Sequence, residues 1–292
     1  VIAIVQLGIV DYATGLKLQQ TLGEMRHADR IPNVLLLLEH LPVITLGRNA
    51  DRRNILASSE MLTREGVEVF ECNRGGDVTY HGPGQLVGYP IFDLRSFQRS
   101  GVETQGEAAG LPVNCQSVPA GGVRPAASDN SRHLGAIEYV RRLEEALIRT
   151  CADFGVAAGR VPKLTGVWTA PSASSSGREP VQAKIAAIGV HISRGITSHG
   201  FALNVNSNLD HFKWIVPCGI ASKPVTSLSK ERDSTLPLDA VCESVARNFG
   251  RVFNSQILWV ETLDALLGSS SGLTGKAPEK LRKLHREDGF FA

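Results

Sequence analysis

Hydrophobic and polar positions alternate along this chain in two periods, one of strands and one of helices. Val1 to Leu7 reads as a strand, and over residues 12 to 28 Leu16, Leu18, Leu22 and Met25 spread along the apolar side of a helix. Val34 to Glu39 and Val43 to Leu46 predict two short strands, parted at Pro42, where the ladder cannot continue. Ser58 is a suitable cap for a helix running to Arg64 and stopping at Gly66. Val67 to Phe70 predicts a further strand, which delivers the chain into the Gly-rich stretch from Arg74 to Gln85, within which Thr79 to Gly84 reads as a tight loop punctuated by Gly and Pro. Later, Ile137 to Phe154 carries Val140, Leu143, Leu147 and Cys151 on one helical face. Lys184 to Ile192 and Gly200 to Asn206 read as strands, and Leu209 to Val216 leads into a turn. Asp239 is the expected cap of a helix with Val241, Val245 and Phe249 every four residues, and a short helix is expected over Val260 to Leu267.

Two stretches lose all periodicity. Residues 96–135 are rich in Gly, Ala, Pro, Ser and Asn, and residues 170–182 in Ser; both are expected to be surface insertions. Strands and helices in this order predict an α/β (α+β) fold. The expected division is a catalytic domain over 1–213 and a small C-terminal subdomain with a charged tail over 214–292.

With 292 residues, 42% of them hydrophobic and 21% charged, the chain is that of an ordinary globular protein. Its formal charge of +2, from 31 basic and 29 acidic side chains, gives no nucleic-acid signature. No unbroken apolar run is longer than that of Val34 to Leu38, which is too short to cross a bilayer, so no membrane association is expected, nor is a secretory signal. The five cysteines (Cys72, Cys115, Cys151, Cys218, Cys242) are odd in number and lack a CxxC pair, which predicts free thiols in a reducing compartment, the cytoplasm. The histidines lack metal-site spacing, and the glycines at 75, 76, 82 and 84 fit no nucleotide-phosphate fingerprint.

Cys218 stands out among the thiols. Pro217 fixes its approach, and Gly219 leaves its sulfur unobstructed. The plainer reading, a small buried hydrophobe, suits Cys151 and Cys242 on their helical faces better. Lys184 opens an otherwise apolar strand; either its amine reaches solvent from the strand end, or it faces an apolar cleft and stabilises the Cys218 thiolate. A thiol of pKa about 8.5 costs roughly 2 kcal/mol to ionise at pH 7, much of which one nearby cation can supply. His81 and His199 are each readable as a base or as a wall of the site.

Four motifs in order resemble the lipoyl(octanoyl) transferase family, octanoyl-[acyl carrier protein]:protein N-octanoyltransferases, over about residues 4 to 250. They are Arg74-Gly75-Gly76 with Thr79-Tyr80-His81-Gly82-Pro83-Gly84-Gln85; Lys184-Ile185-Ala186-Ala187-Ile188-Gly189; His199-Gly200-Phe201-Ala202-Leu203-Asn204-Val205-Asn206; and Pro217-Cys218-Gly219-Ile220 followed by Val225-Thr226-Ser227-Leu228. The resemblance implies a mixed sheet flanked by helices, like the catalytic domain of biotin and lipoate protein ligases, with a small C-terminal subdomain. It implies Cys218 as the acyl-accepting thiol and Lys184 as its partner. By the same resemblance, the substrate site would include Arg74, Gly75, Gly76, Thr79, Tyr80, His81, Gly84, Ala186, Ala187, Ile188, Gly189, His199, Gly200, Phe201, Ala202 and Gly219. The implied donor is octanoyl-acyl carrier protein. The implied acceptors are lysines of the lipoyl domains of 2-oxoacid dehydrogenases and of the glycine-cleavage H protein. A monomer is expected, and neither cofactor nor metal is required, because the acyl group arrives activated. An ATP-dependent lipoate- or biotin-type ligase, a non-catalytic binder of acyl carriers or lipoyl domains, and a cysteine hydrolase are the competing readings.

Overall fold

A computed structural model describes residues 1–98, 133–170, 182–217 and 223–269. The two expected insertions fall largely outside these residues, as does the charged tail. Strand β1 (Ile2–Val10) leads into helix α1 (Tyr12–His27), and β2 (Asn33–His40) returns beside β1. There follow β3 (Val43–Leu46), α2 (Ser59–Arg64), β4 (Glu68–Glu71), β5 (Val78–His81) and β6 (Gln85–Ile91). Helix α3 (Ala136–Asp153) precedes four strands: β7 (Ala158–Val161), β8 (Leu164–Thr169), β9 (Lys184–Ser193) and β10 (Ile196–Asn204). The described chain closes with α4 (Leu228–Arg232), α5 (Leu238–Val252), β11 (Ile257–Trp259) and α6 (Leu263–Ser269).

Among the described residues, eight strands form one mixed sheet in the order β11-β1-β2-β6-β10-β9-β8-β7. β1 is parallel to both neighbours, and every pairing from β2 to β7 is antiparallel. A smaller sheet, β4-β3-β5, stands beside it. The run of apolar residues in β2 reflects burial on both faces. Leu35 and Leu37 join the core beneath α3 and α5, whereas Val34, Leu36 and Leu38 join the core beneath α1 and α6. Each such leucine contributes roughly 1.5–3 kcal/mol on leaving water, so this strand alone anchors both layers.

Several expected elements end where the patterning placed them. Ser58 caps α2 by accepting from the Met61 amide, and α3 covers nearly the whole span read as helical. Others differ for identifiable reasons. β1 runs on to Val10 through a register shift between Gln6 and Ile9, with Gly8 at φ +65°. The helix expected to start at Asp239 begins at Leu238 after Pro237; the Asp239 carboxylate accepts from Gln6 Nε2 at 2.8 Å instead of capping. The helix expected from Val260 begins at Leu263, because Ile257–Trp259 pair in parallel with β1 as an edge strand. In the segment read as a C-terminal subdomain, α5 packs on α3 in the core of the main sheet and β11 extends that sheet. The run read as a loop over Thr79 to Gly84 is only half a loop: Val78–His81 and Gln85–Ile91 are strands, joined by a turn at Gly82–Gly84 that carries the chain from the small sheet to the large one.

Candidate active site

The segment before β5 is held by its own arginine. The Arg74 guanidinium, 8% exposed, donates to Thr45 O (2.8 Å), Thr45 Oγ1 (2.9 and 3.2 Å), Asp77 O (2.7 Å) and Gly75 O (3.1 Å). These acceptors are all carbonyl or hydroxyl oxygens. The Gly75 amide reaches Val190 O on β9 at 3.0 Å, and a Cβ on Gly189 would stand 2.7 Å from Gly75 O. Gly189 therefore permits the close crossing of this segment over β9.

Register then builds a floor. Ala202 of β10 pairs with Val87 of β6 and with Ala187 of β9, and these three side chains share the face away from α3 and α5. A cleft opens above them. Of the residues anticipated, Arg74, Gly75, Gly76, Thr79, His81, Ala187, Ile188, Gly189, His199, Gly200, Phe201 and Ala202 line it. Three do not. Tyr80 points to the other side of β5, edge-on to His211, Phe212 and Trp214, and burial pushes its phenol up to about 12. Gly84 sits in the turn at φ +82°, where its carbonyl accepts from the Val205 and Asn206 amides. Ala186 is buried in the core under α3. Cys218 and Gly219 lie outside the described residues.

Lys184 is 7% exposed and does not reach solvent. It lines a recess with Gln85, Asn204, Phe212, Pro217 and Val225, and the recess shares Thr79, Ala187 and Ala202 with the cleft. The recess and cleft thus adjoin across these three residues. Its main chain is clamped from one side by Pro224 O, which accepts from Lys184 N at 2.8 Å, and by Thr226 N, which donates to Lys184 O at 2.9 Å. Pro217 and Lys223, the described residues on either side of residues 218–222, therefore both belong to the surroundings of Lys184.

Three histidines around the cleft are neutral, chiefly because burial disfavours their charged forms. His81 is pushed down to about 3 by desolvation, with His40 and Arg74 adding repulsion. Gln85 donates to Asn204 Oδ1 (2.9 Å) and Tyr80 O (3.2 Å), so its Oε1 accepts from His81 Nδ1 at 2.7 Å. His81 Nε2 is left with a lone pair, 3.5 Å from Thr45 Oγ1. Such an imidazole is too weak a base to hold a proton near neutrality; it serves as a fixed acceptor. His40, pushed down to about 4 by burial, donates from Nδ1 to Val10 O (2.7 Å), so Tyr89 must donate its hydroxyl proton to Nε2 (2.6 Å). His199 adopts φ +54°, with its amide on Gln19 Oε1 (2.6 Å) and its Nε2 on Asn73 Oδ1 (2.7 Å). Desolvation and then Arg74 bring it to about 3.

Tyr12, Asp77, Val87 and Tyr89 also line the cleft and were not anticipated. Asp77, inside the Gly-rich stretch, carried a local signal; Tyr12 at the start of α1 carried none. Cys151 and Cys242 are buried on their helices, and burial pushes both thiols up to about 12, which leaves them inert. Among the described residues, no group of three His, Cys, Asp or Glu side chains is arranged to hold a metal ion, and no helix is long and apolar enough to cross a membrane.

Residues 11–107 and 125–250 match the model of the lipoyl protein ligase A/B catalytic domain. An octanoyltransferase of Koribacter versatilis is 51% identical over 98% of this chain and 98% of its own length. One from Acidobacterium capsulatum is 54% identical over 94% and 99%, respectively. Among solved structures, lipoate-protein ligase A bound with ATP superimposes with a TM-score of 0.58 at 13% identity, covering 94% of each chain. The bipartite lipoate protein ligase of Thermoplasma acidophilum gives 0.58 at 14% identity, covering 93% of this chain and 91% of its own. At such identities the likeness is one of fold, and it is the fold the motifs implied. The sequence relatives extend it to the enzyme class: the chain belongs to the octanoyltransferases of the lipoyl protein ligase A/B catalytic-domain family.

Proposed function

We propose that this protein moves an octanoyl group from octanoyl-acyl carrier protein to a lysine of a lipoyl domain, including that of the glycine-cleavage H protein, through a thioester on Cys218. One observation carries the reading: Lys184, a buried amine, lines a recess that shares walls with the cleft and that Pro217 also lines, and Pro217 is bonded to Cys218.

In the first step Cys218 Sγ attacks the donor's thioester carbonyl carbon. The bond to the carrier's sulfur breaks, and that sulfur leaves with the proton Cys218 surrendered, relayed by Lys184. In the second step the acceptor lysine, as free amine, attacks the octanoyl-Cys218 carbonyl. An amide forms, the carbon–sulfur bond breaks, and Lys184 passes the amine's proton back to the Cys218 thiolate. A proton relay of this kind is worth about 10²–10⁴ in rate. The first exchange trades like for like; the amide draws the second forward. The cleft's part is to hold the acyl chain over Val87, Ala202 and Ala187, with Arg74 and the neutral His81 fixing its walls.

Intact-mass measurement after mixing the protein with octanoyl-acyl carrier protein, without ATP, tests this. A hydroxylamine-sensitive octanoyl adduct is expected on the wild type and its absence in Cys218→Ala. Full transfer by the cysteine variant, or transfer only when ATP is supplied, would overturn the mechanism.

A further inference from the structure

The Lys184 ammonium lies 4.7 Å from the centroid of the Trp168 ring, and the Lys223 ammonium lies 5.6 Å from the same centroid. Both distances are within the range at which an aromatic face attracts a cation. The indole is 1% exposed, so little water screens that attraction.

The backbone is adjusted to create this contact. β8 and β9 pair Val167 with Ala186, and regular antiparallel pairing would next set Trp168 opposite Ile185. A register shift instead brings Trp168 opposite Lys184. Residues directly opposite in a sheet share a face, and a bulge re-aims one side chain by moving it one position. Gly166, two residues earlier, has φ +120°, and a Cβ there would stand 3.5 Å from Lys184 Cε and 2.6 Å from Ala186 O. The lysine stem thus passes close over bare backbone on its way to the ring. The Trp168 Nε1 is buried without a hydrogen-bond partner. Its N–H therefore gives no reason for tryptophan at this position, whereas the ring does: indole is the strongest of the aromatic cation platforms.

We infer that Trp168 is a positioning residue for Lys184, its ring holding the ammonium at the recess while Lys223 sits at the same ring as a second cation. The inference rests on the transfer role of Lys184 proposed above and deepens it. The bulge in β9, with Ile185 as its extra residue, brings Lys184 to the ring, Gly166 clears the stem, and Lys223 brings the second charge, whose Nζ also meets Gln182 Oε1 at 3.5 Å.

Two measurements test it separately. In protein carrying ¹³C-labelled lysine, the Lys184 ε-methylene signal, assigned by its loss in Lys184→Met, is expected upfield of the other lysines through the indole ring current. It should return to the common position in Trp168→Leu. In single-turnover transfer from the pre-acylated enzyme, Trp168→Leu is expected to slow the step about tenfold, with the acceptor concentration that gives half the maximal rate unchanged. Trp168→Phe should recover most of that loss, and Lys223→Met should cost no more than about threefold. Fluorinated tryptophans placed at 168 keep the ring's shape while draining its face; the rate should fall stepwise with each fluorine, which keeps the test decisive if Trp168→Leu does not fold. Full single-turnover rates in Trp168→Leu or across the fluorinated series, or an unshifted lysine signal in the wild type, would overturn the inference. If the lysine signal behaves as expected but the wild type transfers no octanoyl group, it is the proposed function that fails, while the indole's hold on Lys184 stands.

Discussion

The two faces of strands β6, β10 and β9 are built from the same few residues in strict alternation, yet one face is closed and the other is open. The row Leu86–Leu203–Ala186 and the row Gly88–Phe201–Ile188 point to α3 and α5, where Phe201 lies against Phe249 with ring centroids 5.7 Å apart. The row between them, Val87–Ala202–Ala187, faces the cleft. Large side chains meet two helices on one side; on the other, two alanines and a valine leave room that Arg74, His81 and Tyr89 border. A sheet thus separates stability from chemistry by a period of two, and substitutions on the two faces should have unlike consequences.

The largest expected effect belongs to the open side. Lys184→Met should lower single-turnover octanoyl transfer by about 10²–10⁴. Because a buried charge is exchanged for an apolar stem of similar length, its midpoint in a urea titration should stay the same or rise. On the closed side Phe249→Ala should cost about 3–5 kcal/mol in the same titration. Its transfer rate per folded molecule should be that of the wild type; a kinetic defect there would break the division between faces.

The neutral histidines bordering the open side give a pH test. The unfolded chain takes up protons on imidazole below about 6.5, whereas His40, His81 and His199 resist protonation until about 4, 3 and 3. The unfolded state therefore binds more protons between these values. The contribution is fully present above pH 6.5 and is lost as pH falls, toward 4 for His40 and toward 3 for His81 and His199. Each histidine adds at most about 1.4 kcal/mol per pH unit to that slope. Denaturant titrations from pH 7 to pH 4.5 should show a shallower decline in His81→Gln than in the wild type. Equal slopes would mean His81 is charged in the folded state. The smallest effect is one of fit: Ala202→Val narrows the open row, and octanoyl adduct formation should fall about tenfold while a butanoyl donor is hardly affected. An equal loss with both donors would place the acyl chain elsewhere.

Much of the frame was legible in the linear pattern. The periodicity of β2, the Ser58 cap and the apolar face of α3 each depend on neighbours a few residues apart, and each appears within a residue or two of where the pattern put it. β11 escaped notice because a three-residue edge strand with Leu258 and Trp259 half-exposed has no periodicity of its own; it exists only because β1 offers a free edge. β5 and β6 were hidden by the glycines and prolines around them, which signal a turn but not the strands on either side. At the site, the motifs identified most of the residues that meet at the cleft. They did not separate Tyr80 and Ala186, which the alternation of β5 and β9 sends elsewhere, and they gave no sign of Tyr12, Tyr89 or Trp168.

The order of residues by itself determined which stretches could be strand or helix, which thiols lie on apolar helical faces, and which four motifs mark the family. These are short-range properties, set by side-chain period, turn chemistry and the local choice of Gly and Pro. Only the tertiary structure decided that the Lys184 amine is buried, that three imidazoles are neutral, and that the Arg74 guanidinium is spent on Thr45, Gly75 and Asp77. Burial and electrostatic environment are made by groups far apart in sequence, as when Trp168 and Lys223 meet Lys184 across a bulge, and no pattern along one strand can contain them.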